Sequence, residues 1–277
     1  MPNVDWRFEG KSVRVFARNP IAVGDELFIT YAGESIYDFL ARRERLHAGW
    51  GFDCSCMLCK KGNADLPAGP IRNRMVAHQA KIMEVWKGNL ENARELMNTN
   101  GAAISEMMDE APRVEAGFGA WPANELHKFS MISESATGNP LGALRSCLAL
   151  YYLVEPAQIP PIIVSQKLNT LFNLLQLVTM VGEMKDSEFE GKSKPKAITA
   201  VLQLQLREQF VGDTEKCFGV DSKVARYERE VFDDLVAEHE KRSHAKYVMM
   251  DGSLVEQEKF KESINELLTW ADWPVRL

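Results

Sequence analysis

The sequence predicts an α+β chain that is mostly α-helical, with a short β region followed by helices over most of its length. Near the N-terminus, apolar residues alternate with polar ones, as they do in half-buried strands. From Ile71 onward they recur three and four positions apart, which is the spacing of amphipathic helices. Hydrophobic residues make up 45% of the 277 residues, enough for a folded core.

The β region is predicted within residues 4–31. Its alternating apolar residues are Val4, Trp6, Phe8, Val13, Val15 and Ala17. Glu9–Lys11 supplies a turn between two strands, and a second turn at Gly24–Glu26 leads into a third strand, Leu27–Tyr31. Because so few short strands bury little surface, this sheet needs packing partners from elsewhere.

A helix is predicted to begin at Ser35, which forms a capping-box pattern with Asp38 three residues later. Gly49 is placed to end this helix. Its apolar face is predicted to hold Ile36, Phe39, Leu40 and Leu46. A cysteine cluster and a linker containing Gly, Pro and Asn follow the helix.

The remaining chain is predicted to be an antiparallel all-α domain, either a bundle or a TPR-like array of helical hairpins. The clearest helical patterns are Ala77–Trp86, Leu141–Leu153, Val164–Val181, Ala197–Phe210, Val224–His239 and Glu256–Trp270. Breaks are expected at Pro112, Trp121-Pro122, Asn139-Pro140, Pro156–Pro161 and Glu183–Pro195. No clean repeat period supports one arrangement over the other.

Composition argues against several classes of protein. The formal net charge of −6 and the isoelectric point near 5.5 disfavour direct nucleic-acid binding. The longest apolar region, Pro160–Val181, is interrupted by polar residues and does not reach the ~18–20 apolar residues of a membrane span. The first residues lack the pattern of a signal peptide, so we expect an intracellular protein of the nucleus or cytoplasm.

The most specific motif is a Cys-x-Cys-x-x-Cys cluster formed by Cys54, Cys56 and Cys59. Three thiols so close in sequence, in a chain with an odd number of cysteines, favour a metal site over a disulfide framework. Thiolates are suitable ligands for zinc, and zinc in a closed structural site has four ligands in total. The candidates for the fourth position are Cys147, Cys217, His47 and water.

Several segments of the chain resemble SET-domain protein-lysine methyltransferases of the SET-and-MYND type. Gly24–Tyr31 is similar to the closing SET motif, in which Gly-Asp/Glu-Glu-Leu leads to a Tyr. Arg42–Leu46 and Trp50–Cys59 are similar to the helix and the post-SET cysteines of these enzymes. Met1–Asn3 matches the end of their Asn-His-Ser-Cys-x-Pro-Asn motif, and we assign Pro2 and Asn3 no role. The resemblance covers roughly residues 1–60.

The resemblance implies S-adenosylmethionine and zinc as cofactors and a protein lysine, histone or otherwise, as substrate. It implies that Tyr31 is the catalytic tyrosine and that Phe52 packs near the adenine of the cofactor. Trp50 matches an aromatic position, often Tyr in the family, that lines the lysine channel. A Trp there keeps the apolar wall but loses the phenol, which leaves the number of transferred methyl groups open.

The resemblance divides the chain into residues 1–34 as the end of a SET domain, 35–62 as helix and post-SET cluster, and 63–277 as the helical domain. It places the Asn-His-Ser-Cys, including the family's fourth zinc ligand, immediately before Met1. We therefore expect a chain truncated at its N-terminus that binds zinc weakly and transfers no methyl group by itself. The alternatives are a non-catalytic, protein-binding helical module with a vestigial SET and zinc remnant, and an unrelated zinc-knuckle protein.

Overall fold

A computed structural model shows a short β-hairpin and a larger set of packed helices. It describes residues 3–9, 11–17, 20–29, 39–55, 59–60, 77, 123–158, 164–185, 189, 195–251 and 253–273. Over these residues the prediction of a mostly α-helical chain with a little β-structure is confirmed. The predicted helix Ala77–Trp86 lies outside the described residues except for Ala77, which is helical.

The hairpin pairs strand β1, Val4–Glu9, with strand β2, Ser12–Ala17, in antiparallel register. The apolar residues face each other across the strands, with Trp6 opposite Val15. Trp6 and Phe8 also stack edge to face, with their ring centroids 5.3 Å apart. The two strands and the turn between them were therefore predicted correctly from the alternation of apolar residues.

The predicted third strand is wrong over the residues that the structure describes. The turn before it does form, because Gly24 has φ +93° and the Asp25 amide donates to the Ala22 carbonyl at 3.1 Å. The chain from Asp25 to Ile29 nevertheless has no strand conformation. It contacts the start of the hairpin through hydrogen bonds from Asn3 and Val4 to the Phe28 carbonyl. Over the described residues, these bonds do not continue into a ladder of the kind that joins two strands.

The described helices begin with α1, Phe39–Trp50, and continue in a group that starts at Ala123. This group consists of α2 Ala123–Ala136, α3 Pro140–Ala149, a π-helical segment Leu150–Val154, α4 Glu155–Gln158, α5 Val164–Glu183, α6 Ala200–Phe218, α7 Lys223–Ser243 and α8 Leu254–Trp270. None of the described helices is both long and apolar enough to cross a membrane. Successive helices with short connections pack on each other, as in helical hairpins.

Helix α2 lies in the region predicted to be helical, between the breaks expected at Trp121-Pro122 and Asn139-Pro140. One feature of the helical group differs from the sequence prediction. Pro156 does not break the helical path, which runs without interruption from the π-helical segment into α4. The breaks expected before Pro140 and after Glu183 are confirmed.

The core of the helical group lies between α2, α3, the π-helical segment, α5, α6 and α8. Its fully buried large side chains include Leu126, Leu144, Leu148, Leu171, Leu174, Leu206 and Leu267. A smaller cluster forms between α6 and α7 around Phe232, which packs with Leu204, Val211 and Tyr247. The end of α8 is held to α3, because the Trp273 indole donates to the Arg145 carbonyl at 2.8 Å.

The hairpin meets the helical group where α6 ends. Gly219 follows α6 with φ +79°, and its amide donates to the Glu215 carbonyl at 2.8 Å. A Cβ atom added at Gly219 would lie 3.2 Å from a ring carbon of Phe16 on β2. Only glycine adopts this backbone conformation without strain, and its lack of a side chain lets the Phe16 ring approach.

Replacing Gly219 with Ala is expected to lower the free energy of unfolding by about 1–3 kcal/mol, because the backbone becomes strained. Gly212, inside α6, has open space at its Cβ position and serves as the matched control. Gly212→Ala is expected to raise the same quantity by about 0.5–1 kcal/mol, since it removes a helix-interior glycine. Urea unfolding followed by circular dichroism measures both changes, and a stabilising Gly219→Ala would contradict this account.

Candidate functional site

Asn3 connects the start of β1 to the segment that resembles the closing SET motif. Its backbone amide and that of Val4 donate to the Phe28 carbonyl, at 3.0 and 3.3 Å. The Asn3 side chain donates to the Glu26 carbonyl at 2.9 Å and accepts from the Phe28 amide at 2.7 Å. The structure thus brings together two sequence segments that both carry the resemblance, and it gives Asn3 a bridging role that the sequence did not reveal.

Tyr31, the predicted catalytic tyrosine, lies outside the described residues, and so does Cys56. Trp50 is the last residue of α1 and is 59% exposed, while Phe52 is 38% exposed. The structure therefore gives the position of Trp50 at the end of α1 and the exposed fractions of both side chains. Their roles beside a lysine or a cofactor remain predictions.

The glycine that ends helix α1 is Gly51, two residues after the predicted Gly49. The helix continues through Gly49 to Trp50, and Gly51 then takes φ +70° while its amide donates to the His47 carbonyl at 3.0 Å. This left-handed glycine turns the chain back toward the helix. The segment 52–55 after it carries the first residue of the cysteine cluster.

Two consecutive arginines of α1 hold the cysteine segment. On the exposed side, Arg43 Nε pairs with Asp53 Oδ1 at 3.1 Å. On the buried side, Arg42 is only 7% exposed, and its Nη2 donates to the Sγ atom of Cys59 at 3.3 Å. Leu46, one helical turn after Arg42, is buried as predicted, so these two residues share the inner face of α1.

The cysteine cluster is only partly described. Cys54 is half-buried, Cys59 is buried, and none of the four described cysteines is in a disulfide. Among the described residues, no three His, Cys, Asp or Glu side chains form a group that could hold a metal ion. Two of the three predicted sulfur ligands therefore remain as thiols suited to zinc, and the third lies outside the described residues.

Two of the candidates for a fourth zinc ligand, Cys147 and Cys217, are buried in the core of the helical group. Cys147 is fully buried in the helical core, where its Sγ donates to the Thr170 carbonyl at 3.6 Å. Burial and the nearby Glu155 carboxyl raise the pKa of the Cys147 thiol, which further opposes metal binding. Cys217, at the end of α6, also belongs to this core. His47 lies on the exposed side of α1, in a surface depression with Arg43, Glu44 and Asp53.

Two titratable groups buried in the helical core were missed by the sequence reasoning. Glu155 accepts a hydrogen bond from the Thr170 hydroxyl at 2.6 Å, and desolvation raises its pKa to about 7. Its Oε2 atom is buried without a hydrogen-bond partner among the described residues. His127 is fully buried against Trp273, and desolvation lowers its pKa to about 4. Their sequence context gave no signal that either side chain would be buried.

Helices α5, α6 and α7 form a groove of about 280 Å³ with a mainly apolar lining. Its apolar floor includes Leu175, Leu204 and Leu235. Charged side chains line the α7 side, where Arg242 pairs with Glu238 at 2.6 Å. The groove is therefore a surface on which an apolar side chain of another molecule could be buried.

Comparison with known proteins yields two partial similarities, and no family model matches the chain. A histone-lysine N-methyltransferase SET5 of Eremothecium gossypii is 31% identical over 90 residues, which cover 29% of this chain and 18% of that protein. A histone-lysine N-methyltransferase SET5 of Yarrowia lipolytica is 39% identical over 62 residues, covering 22% of this chain and 14% of that protein. The matched stretches thus span less than a fifth of each relative. They support a relationship to SET-domain methyltransferases.

Proposed function

We propose that this chain is part of an S-adenosylmethionine-dependent protein-lysine methyltransferase of the SET-and-MYND type. The observation that carries the proposal is its similarity to two histone-lysine N-methyltransferases. The contacts of Asn3 with Glu26 and Phe28 add support, because they join two of the resembling segments. The proposal includes an intracellular location, in the nucleus or the cytoplasm.

The bound cofactor would supply an electrophilic methyl group, and the protein would have to present a neutral lysine amine to it. A free lysine has a pKa near 10.4, so an apolar channel that disfavours the ammonium form is required. We assign Trp50 to the wall of this channel and Phe52 to the adenine side. Tyr31 would orient the amine through its hydroxyl, and it is a poor base because a phenol titrates near 10.

The proposal assigns structural zinc to Cys54, Cys56 and Cys59. The donor chemistry fits, because Cys54 and Cys59 are thiols outside any disulfide and the Arg42 guanidinium donates to one of them. Such a site would fasten the segment after α1, which carries Phe52. A fourth ligand or water has to complete the coordination.

The proposal is tested by methyl transfer from labelled S-adenosylmethionine to histones and to a whole-cell protein extract. We expect methyl transfer to lysine by the unmodified protein and a large loss of the transfer rate in a Tyr31→Phe variant. Tyr227, exposed on α7, is the matched control. Tyr227→Phe removes the same hydroxyl from a surface position and should leave the rate unchanged.

One result would contradict the role proposed for Tyr31. Equal rates for the Tyr31→Phe and Tyr227→Phe variants would remove Tyr31 from the reaction. Labelled lysine, identified after digestion, is the required product, since label on other residues would indicate a different activity.

The second candidate function is that of a non-catalytic module whose helices bind another protein. The groove between α5, α6 and α7 favours this candidate, because its apolar lining suits an inserted apolar side chain. A Leu235→Asp variant would place a charge in this groove. If it abolished association with a partner while the intact protein transferred no methyl group, the binding role would replace the catalytic one.

A further inference from the structure

Arg42 is buried although it lies in a charged stretch of sequence. It is 7% exposed although its neighbours Arg43, Glu44 and Arg45 are exposed. Burying a guanidinium is costly unless its charge and its N–H groups are compensated. Its hydrogen bond to Cys59 Sγ, at 3.3 Å, places one N–H group directly on the cysteine cluster.

The chemistry of this contact favours a sulfur that carries negative charge. A charged donor bonds more strongly to an ionised acceptor than to a neutral one, and a thiolate bound to zinc remains such an acceptor. Groups that donate to the ligands of a metal fix their orientation, and their loss typically weakens metal binding by about 10- to 100-fold.

The same helix provides a rigid base for this contact. Leu46, which shares the inner face of α1 with Arg42, is 3% exposed and anchors the helix by packing. Arg43 and Asp53 form a second, exposed connection between α1 and the cysteine segment. The two arginines therefore bind the same segment, one at a sulfur of the cluster and the other at a surface carboxylate.

We infer that Arg42 is a positioning residue for the metal site, which orients Cys59 and balances the negative charge of the zinc-bound thiolates. The inference rests on the zinc site assigned under the proposed function. It explains why a cation is buried at this turn of α1. It also separates the roles of two adjacent arginines, because Arg43 stabilises the segment only at its exposed surface.

The inference is tested by measuring metal affinity in the whole chain with Arg42→Met, Arg42→Lys and Arg43→Met variants. Zinc affinity is measured by competition with a chromogenic chelator, and Co²⁺ is used as a spectroscopic probe because thiolate ligands give it a charge-transfer band. We expect Arg42→Met to lose about 10- to 100-fold in zinc affinity. Arg42→Lys, which keeps the charge, should recover part of the loss, and Arg43→Met should bind zinc like the unmodified chain.

The possible outcomes distinguish this inference from the proposal beneath it. Should the unmodified chain bind neither zinc nor Co²⁺, the proposed metal site fails and the inference fails with it. Should the unmodified chain bind metal with thiolate bands while Arg42→Met and Arg43→Met retain equal affinity, only the inference is overturned. Circular dichroism checks the helix content of each variant, and Arg42→Gln is a second replacement if Arg42→Met does not fold.

Discussion

Replacing Glu155 with Gln is expected to stabilise the protein increasingly as the pH rises. Between pH 4.5 and pH 8, the gain in unfolding free energy should grow by about 3 kcal/mol. The pKa of Glu155 is raised to about 7 in the folded protein, from an ordinary value of 4.5. Between these two values the folded state holds a proton that the unfolded state has released, so wild-type stability falls as the pH rises.

The surroundings of Glu155 explain the direction of this shift. Desolvation is the largest cause, and it is opposed by the Thr170 hydrogen bond and by the charges of Lys167 and Lys128. The Cys147 thiol, on α3, also lies within its electrostatic reach. Gln has the same shape as the protonated carboxyl but carries no charge at any pH, so the variant lacks the cost of ionising a buried group.

His127 should produce the opposite pH dependence. Its pKa is lowered to about 4 from an ordinary value of 6.5, so its contribution to stability is lost as the pH falls through this window. In the wild-type protein the two effects oppose each other between about pH 4.5 and 6.5. His127→Leu should remove only the histidine effect, leaving a stability that falls from pH 4.5 to 7.

Urea unfolding at several pH values measures these effects in the wild type, in Glu155→Gln and in His127→Leu. We expect the unfolding free energy to change with pH in opposite directions in the two variants. The slope for the wild type should lie between the slopes for the variants. Parallel curves for all three proteins would mean that neither buried group titrates differently in the folded and unfolded states.

Replacing Glu208 with Ala is expected to lower the unfolding free energy by about 3–5 kcal/mol. Glu208 is 9% exposed on α6 and accepts three hydrogen bonds from the segment that follows α7. Its Oε2 atom accepts from the Tyr247 hydroxyl at 2.8 Å and from the Met250 amide at 3.1 Å, and its Oε1 atom accepts from the Asp251 amide at 3.1 Å. Without the carboxylate, these donors lose a charged acceptor.

Tyr247→Phe is the matched variant, because it removes one of the three hydrogen bonds and keeps the packing against Phe232. We expect it to cost about 1–2 kcal/mol. Hydrogen exchange should also become faster at the amides of Met250 and Asp251 in Glu208→Ala, but much less so in Tyr247→Phe. Equal destabilisation by the two variants would show that the carboxylate does not hold this segment.

The hairpin and most helices of the described chain could be predicted because their patterns are local. The alternation through β1 and β2 and the three-and-four spacing in α5 follow directly from which faces are buried. The position of helix α2 followed from the breaks that flank it and not from an apolar pattern, because its buried face is largely polar. Its buried polar residues are Asn124, His127, Ser130 and Ser133.

The π-helical segment could not be predicted for a different reason. It lies within the continuous apolar run Leu148–Val154, so a change of helical period leaves no trace in the order of polar and apolar residues. The third strand was predicted because its sequence is β-prone, whereas the observed segment bonds only to Asn3 and the Val4 amide at the start of the hairpin, among the described residues.

In the candidate site, the cysteine cluster could be recognised from spacing alone, but the position of Arg42 could not. Arg42 lies in the charged stretch Arg42–Arg45, where a buried residue is not expected. The only local signal was that Arg42 and Leu46 are four residues apart and therefore share a helical face. The burial of Cys147 between α3 and α5 likewise could not be predicted from its spacing in the sequence.

The central claim is that this chain belongs to a protein that uses S-adenosylmethionine to methylate lysine. The most direct test is calorimetric titration of S-adenosylmethionine into the polypeptide purified from its own cells, at the length at which the cells make it. The claim predicts saturable binding of one cofactor per polypeptide, followed by lysine methylation when a protein substrate is added. A correctly folded native polypeptide that binds no S-adenosylmethionine would contradict the claim and leave the helical domain as a protein-binding module.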